Sequence, residues 1–436
     1  MADIRPFKGY MYNTNKIDDL GKVMSPPYDA LLPEHQDELY DLHEYNAIRL
    51  AKGKRFETDT DSENVFTRSK KYLVDWLKDD IIVQDEQNAI YLYEQEVEFN
   101  GITYTNKGFV TLLKLEDFGS HVLTCEDTTP INKKDRYELL AQTQANFNMI
   151  SGLYIESEKD LSHIMTEIKD TAPDVSFVLP EGAREHIWRI TDTDKINFIV
   201  NAMKPHTIYI ADGQNRYETA LKYRKKCQEN NPNHTGDEPY NYIMTLLTNA
   251  YDESLMLLPF HRMITFKRDF NESFFVAAAQ DNFKIEKIIV DLDTSDFVDT
   301  IKKQIITTRN ENKIALYCGG KYFYRLTLKN DAPLKEHLPE KSDAYLRLDV
   351  TVLNKLILSD ILNIDEDIYD ECITYTKSIT EGIKFVEENE HSCFFAINPV
   401  KTEQINAVTK SGEKMPPHSI CIYPKPATGV IFNILQ

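Results

Sequence analysis

The sequence predicts a mixed α/β (α+β) fold built as several lobes, and three observations carry that prediction. The chain has 436 residues, about two to three times the size of one ordinary domain. Between His186 and Leu247, apolar β-rich runs and helical patterns follow in the order strand, helix, strand, helix, strand, which is the pattern of an α/β unit. Between Ile90 and Leu115, alternating aromatic and β-branched runs flank Asn100-Gly101, a two-residue turn signal for an antiparallel hairpin.

Taken in order, residues 6–27 read as strand and loop, and helices are expected around Pro33 to Leu42 and Glu63 to Leu77. The hairpin follows, then a polar segment after Gly119 leading into a helix from about Tyr137 to Asn146, and a short strand Gly152 to Ile155. Turn residues at Leu179-Pro180-Glu181-Gly182 suggest a boundary. Beyond it come the strand His186 to Ile190 and a helix capped by Asp192 or Asp194 and running to Met203, with Ile196, Ile199, Val200 and Met203 at helical spacing. The strand Thr207 to Ala211, the helix Tyr217 to Gln228 and the strand Tyr240 to Leu247 complete the unit. The last third mixes both element types, includes a Gly319-Gly320 hairpin turn and closes on a strand Gly429 to Leu435. The expected lobes are 1–178, 179–268 and 269–436.

Fifty Lys and Arg stand against 70 Asp and Glu, a net charge of −20. Such an excess of carboxylate opposes a polyanionic partner, so nucleic acid is not expected. A small phosphorylated ligand needs only a few backbone N–H groups and one or two cations, and stays open. No run approaches the roughly 18 apolar residues of a membrane span, and the first residues, Met1 to Phe7, lack the pattern of a secretory signal, so the expectation is a cytoplasmic protein with no membrane partner. The six cysteines are far apart, without the spacing of a zinc or redox pair. Nothing in the sequence sets an oligomeric state.

The segment with most chemical content is Asp212-Gly213-Gln214-Asn215-Arg216. It lies between an apolar strand and an amphipathic helix, where a chain reversal exposes N–H groups at the positive end of the helix dipole. Gly213 lets a ligand approach the backbone, Arg216 offers a planar fork for phosphate oxygens, and Asp212 could orient Arg216, bind a metal or take a proton. On the pentapeptide alone, a helix cap, a turn and a solvated arginine are the preferred explanation.

Tyr209-Ile210-Ala211-Asp212-Gly213-x-x-Arg216-Tyr217 is similar to the central motif of the domain of unknown function 1015 family. Other segments agree in order: Pro6-Phe7-Lys8-Gly9, Ser25-Pro26-Pro27-Tyr28-Asp29, Asn46-Ala47-Ile48-Arg49, Lys134-Asp135-Arg136, Leu348-Asp349-Val350, Met415-Pro416-Pro417 with Ser419, and Pro424-Lys425 before Gly429. The family motif in turn resembles the fold shared by ParB-like partition proteins, sulfiredoxin and the archaeal free-serine kinase, where the turn and the following helix hold nucleotide phosphates.

The resemblance implies a nucleotide-dependent phosphotransferase, using ADP or ATP with Mg²⁺ on a small hydroxyl metabolite such as serine, or the reverse reaction from phosphoserine. It implies phosphate binding by Gly213, Gln214, Asn215 and Arg216, assisted by Lys134, Arg136, Ser419 and Lys425. Glu126, Asp29, Asp212 and His418 are the implied candidates for proton transfer or metal binding. The sequence departs from the family where D-G-H-H-R is usual: Gln214 and Asn215 donate hydrogen bonds but do not titrate near neutrality. Cys125-Glu126 stands for His-Glu, and His418 for a frequent Lys. A binding-only sensor or regulatory paralogue is therefore the alternative reading.

Overall fold

The computed structural model describes residues 2–27, 33–99, 102–126, 133–156, 160–252, 255–268, 270–292, 297–305 and 311–435. The chain forms two compact units. The first comprises Met1–Thr124, Thr128–Met256 and Ile422–Gln436, and the second Cys125–Asp127 and Leu257–Cys421.

The first unit is built on a nine-stranded mixed sheet. Its strands are β1 (Ile4–Arg5), β2 (Ile90–Phe99), β3 (Ile102–Lys114), β4 (Val122–Thr124), β5 (Ile150–Tyr154), β6 (Val175–Val178), β7 (Arg184–Ile190), β8 (Ile208–Asp212) and β9 (Tyr242–Asn249). Their spatial order is β4-β8-β5-β9-β3-β2-β7-β6, with β1 also on β3. The β8–β4 and β9–β5 pairs are parallel and the other pairs antiparallel.

Both faces of this sheet are covered, which explains why its central strands read as continuous apolar runs. Tyr91, Tyr93, Val110, Leu112 and Met244 enter one core with Trp76 of the helix Val65–Lys78. The alternate residues Ile90, Leu92, Phe109, Leu113 and Ile243 enter the other, with residues of three helices, α1 (Lys133–Thr143), α2 (Thr193–Met203) and α3 (Gln214–Asn230). All eight residues of β9 are buried.

The hairpin at 90–115 forms as expected, with Phe99 opposite Ile102; its turn residues Asn100 and Gly101 lie outside the described residues. The Asp192 side chain caps α2 through Lys195 N at 2.8 Å. The five elements from β7 to β9 occur in the expected order, but their strands are not neighbours: β5 lies between β8 and β9, and β3 and β2 between β9 and β7. Leu179–Gly182 connects β6 to β7, which pair antiparallel.

Two helices begin earlier than their apolar pattern suggests, at Lys133 and at Gln214, because their first turns are polar and lie beside the site rather than in the core. The first of these ends at Thr143, where Gln144 takes a left-handed φ of 51°. Asn146, expected at its end, instead forms a short strand pair with Asn433.

The second unit carries a six-stranded antiparallel sheet of β10 (His261–Thr265), β11 (Phe283–Ile289), β12 (Lys313–Tyr317), β13 (Tyr322–Leu328), β14 (Ile373–Thr376) and β15 (Ser392–Ala396). The spatial order is β11-β13-β12-β15-β10-β14. The expected hairpin turn at Gly319-Gly320 joins β12 to β13 with φ of 101° and 80°, values that glycine adopts at no steric cost.

Candidate functional site

Strand β8 delivers Asp212 at its last residue, Gly213 reverses the chain and α3 starts at Gln214. Gly213 sits at φ 84° as the N-cap of this 17-residue helix. A Cβ there would stand 2.7 Å from Ile150 Cγ2 and 2.9 Å from Arg216 Nη2, so both conformation and space demand glycine. No side chain caps the helix, and the N–H groups of Gln214, Asn215 and Arg216 find no acceptor among the described residues.

The carboxylate of Asp212 is the hub of a charge cluster. Its Oδ2 accepts from Arg216 Nη2 at 2.6 Å and its Oδ1 from Lys425 Nζ at 2.7 Å. Arg216 Nη1 also donates to Met149 O at 2.7 Å, which fixes the plane of the guanidinium. Burial pushes the Asp212 carboxyl up, but Lys425 and Arg216, with Arg136 behind them, outweigh it and hold the group well below the usual carboxylate range. It is therefore ionised at neutral pH, with an oxygen committed to each of two cations.

Gln214 donates to Glu218 Oε1 at 3.0 Å, and Glu218 Oε2 pairs with Lys133 Nζ at 2.5 Å. The side-chain oxygens of Gln214 and Asn215 are buried without a hydrogen-bond partner. Unengaged backbone donors and orphaned acceptors in one turn suit a ligand or water offering both kinds of group. A pocket of about 380 Å³ lies in the same unit, walled by Leu50 to Gly53, Arg55, Phe66, Asp135, Arg136 and Leu139. Arg136 and Leu139 also line the small cavity that contains Arg216.

The structure thus gathers Asp212, Gly213, Gln214, Asn215, Arg216, Arg136 and Lys425 in the first unit. Lys134 is exposed and makes no such contact. Asp29 lies outside the described residues. Ser25, the first residue of that motif, bridges to Thr428 and bonds Asn46 at 3.0 Å, so three of the shared motifs meet at one structural corner.

Glu126, His418 and Ser419 belong to the second unit. Ser419 N donates to Glu126 Oε2 at 2.8 Å, and Met415 N to Cys125 O at 2.8 Å. His418 has a left-handed φ of 57° and stacks on Tyr375 with ring centroids 3.9 Å apart. Burial and the neighbouring Arg262 lower its pKa to about 4, so it is neutral at pH 7. Arg262 is 1% exposed and donates to the carbonyls of Phe260 and His418. Nothing in the motif of β10 separates this buried arginine from one that snorkels to water. Cys125 is fully buried, its thiol pushed far up by desolvation, and is not a nucleophile.

Among the described residues no group of three or more His, Cys, Asp or Glu side chains is placed to hold a metal. A Mg²⁺ bound along with nucleotide phosphates asks the protein for only one or two carboxylates. Since both oxygens of Asp212 already accept from cations, this turn fits a phosphate better than a metal. No described helix is long and apolar enough to cross a membrane.

The chain is similar in structure to a conserved hypothetical protein from Pyrococcus furiosus, at 11% identity and a TM-score of 0.33, covering 71% of this chain and 90% of that one. A free serine kinase in complex with AMP is matched at 9% identity and a TM-score of 0.35, over 71% and 88%. SbnI from Staphylococcus aureus, truncated at its C-terminus, is matched at 8% and 0.35, over 73% and 85%. No curated protein matches by sequence. The model of the protein of unknown function family DUF1015 matches residues 4–351, well over half of the chain: the chain belongs to the DUF1015 family.

Proposed function

We propose that the chain is a nucleotide-dependent phosphotransferase for a small hydroxyl metabolite, with serine as the model acceptor, and that the Asp212–Arg216 turn holds the phosphates. The supporting observation is the uncapped start of α3 facing a cluster in which Arg216, Lys425 and Arg136 outnumber the single carboxylate of Asp212. On a chain of net charge −20, this is a local reversal of sign, built from the groups that bind phosphate best: backbone N–H, guanidinium and ammonium. The pocket sharing Arg136 is the place for the nucleoside end. In this reading Asp212 orients Arg216 and Lys425 and does not accept the hydroxyl proton.

A second reading, a nucleotide or phospho-ligand sensor without chemistry, is favoured by one observation. Around the turn, Asp212 and Glu218 are both engaged by cations, and Gln214 and Asn215 do not titrate, so among the described residues there no carboxylate or imidazole stands ready as a base.

Phosphorus NMR separates the two. The protein is incubated with ATP, Mg²⁺ and serine, and separately with ADP, Mg²⁺ and phosphoserine. Growth of a phosphoserine or an ATP resonance is the result expected of the transferase. Saturable nucleotide binding with unchanged phosphorus spectra leaves the sensor, and absence of any nucleotide binding sinks both.

A further inference from the structure

The second unit contains a side chain whose hydrogen-bonding capacity is entirely unused. Asn354 lies in a seven-residue π-helical segment, Leu353–Ser359, immediately after the short helix Asp349–Val352 of the Leu348-Asp349-Val350 motif. It is 8% exposed, and both its Nδ2 and its Oδ1 are buried without a partner. A buried polar atom left unpaired is destabilising, and Asn354 leaves two. The neighbours Leu353, Leu356, Ile357 and Leu358 are wholly buried and pin the segment, so Asn354 is not at a frayed end. Widened single turns of this kind recur at functional sites because they re-aim one side chain without breaking the helix.

Asn354 lines a pocket of about 220 Å³ with Tyr345, Lys355, Ser359, Tyr369 and Pro416. Thr351, Lys355, Ser359 and Asp365 of that wall are engaged, and the Glu366 carboxylate also lines it. Lys355 Nζ pairs with Asp360 at 3.1 Å, and Ser359 Oγ donates to Asp365 Oδ1 at 2.7 Å. Tyr345, Tyr369 and Pro416 supply flat, largely apolar surfaces. What the pocket lacks is a partner for one donor and one acceptor set side by side, which is what a carboxamide presents.

We propose that this pocket is a second ligand site and that it takes a small planar molecule whose edge carries an adjacent donor and acceptor. A purine edge and a primary carboxamide share that chemistry, and asparagine pairs with both in the same bidentate way. Asn354 turns from its buried position into the pocket to make the pair. Lys355 and Ser359, held by their acidic partners, shape the rim. The site is independent of the phosphate-binding turn.

The test is isothermal titration of the full chain with adenosine and with nicotinamide, repeated on Asn354→Leu, Asn354→Ser and Arg216→Ala. Binding of either probe, weakened at least tenfold in both Asn354 variants and unchanged in Arg216→Ala, is the expected result; which probe binds tells the purine source from the carboxamide. Asn354→Leu is expected to unfold at no lower temperature than the parent, since it removes two unpaired groups. Should leucine not fit, the smaller Asn354→Ser carries the affinity comparison. The proposal is overturned if neither probe binds, if binding survives the Asn354 changes, or if binding is lost in Arg216→Ala, which would assign it to the turn.

Discussion

Two carboxylates of one sheet, the half-buried Asp212 at the end of β8 and the wholly buried Glu185 on β7, are driven in opposite directions by their neighbours. Asp212 meets two cations at 2.6 and 2.7 Å and stays ionised. Glu185 is wholly buried and, among the described residues, meets only the neutral Tyr93 hydroxyl at 2.5 Å and Gln95 amide at 2.7 Å. Desolvation therefore prevails over those hydrogen bonds, and its pKa rises to about 8. Burial alone does not decide the charge of a carboxylate; the charge of what it faces does. The same rule runs through the second unit with the sign reversed. Arg262, buried against backbone carbonyls and Tyr375, has its pKa lowered to about 10 by desolvation, and it depresses His418 beside it.

The largest consequence is a pH dependence. The unfolded chain releases the Glu185 proton near pH 4.3, whereas the folded chain keeps it to about pH 8. Between those values the folded state binds the extra proton, so this group makes stability fall as pH rises, by a total on the order of 5 kcal/mol. Glu185→Gln keeps the shape and carries no proton to lose. Urea denaturation across pH 4 to 8 is expected to show a flatter stability profile for Glu185→Gln than for the parent. Parallel profiles would mean that Glu185 is ionised in the fold and the contrast with Asp212 is false.

Asp212→Asn is expected to cost about 3 kcal/mol at pH 7, because it leaves Arg216 and Lys425 facing each other without the charge that holds them. A loss below about 1 kcal/mol would mean that solvent screens the cluster like an ordinary surface pair. Arg262→Met should have the smallest effect. An arginine whose hydrogen bonds go to the backbone carbonyls of Phe260 and His418 is replaced by an apolar chain of similar length, at a cost within about 2 kcal/mol. The His418 imidazole, followed by NMR, should then titrate above its value of about 4. A larger loss, or an unmoved His418, would break the parallel between the two units.

Much of this arrangement was legible in the residues. The hairpin at 90–115, the cap at Asp192 and the Gly319-Gly320 turn rest on local chemistry and need no tertiary information. Asp212, Gly213 and Arg216 were legible for the same reason, since a strand, a glycine and a helix start fix their mutual geometry within five residues. Lys425 was named through its motif, but its pairing with Asp212 joins positions 213 apart, and nothing local encodes that. The interleaving of β5, β3 and β2 among the strands of the β7–β9 segment was hidden likewise, because strand order is set by long-range pairing. Glu185, Arg262 and Asn354 were missed because a polar residue on a strand or helix reads as solvated until the element covering it is known.

Phosphate binding at the Asp212–Arg216 turn is the central proposal for this protein. The direct measurement is ADP affinity by calorimetry for the parent chain and for Arg216→Ala, with amide NMR shifts of Gln214, Asn215 and Arg216 followed in the parent during titration. The predicted result is binding that moves those three amides first and weakens at least tenfold in Arg216→Ala. Binding of equal strength in both proteins, or binding that leaves the three amides unmoved, would contradict it.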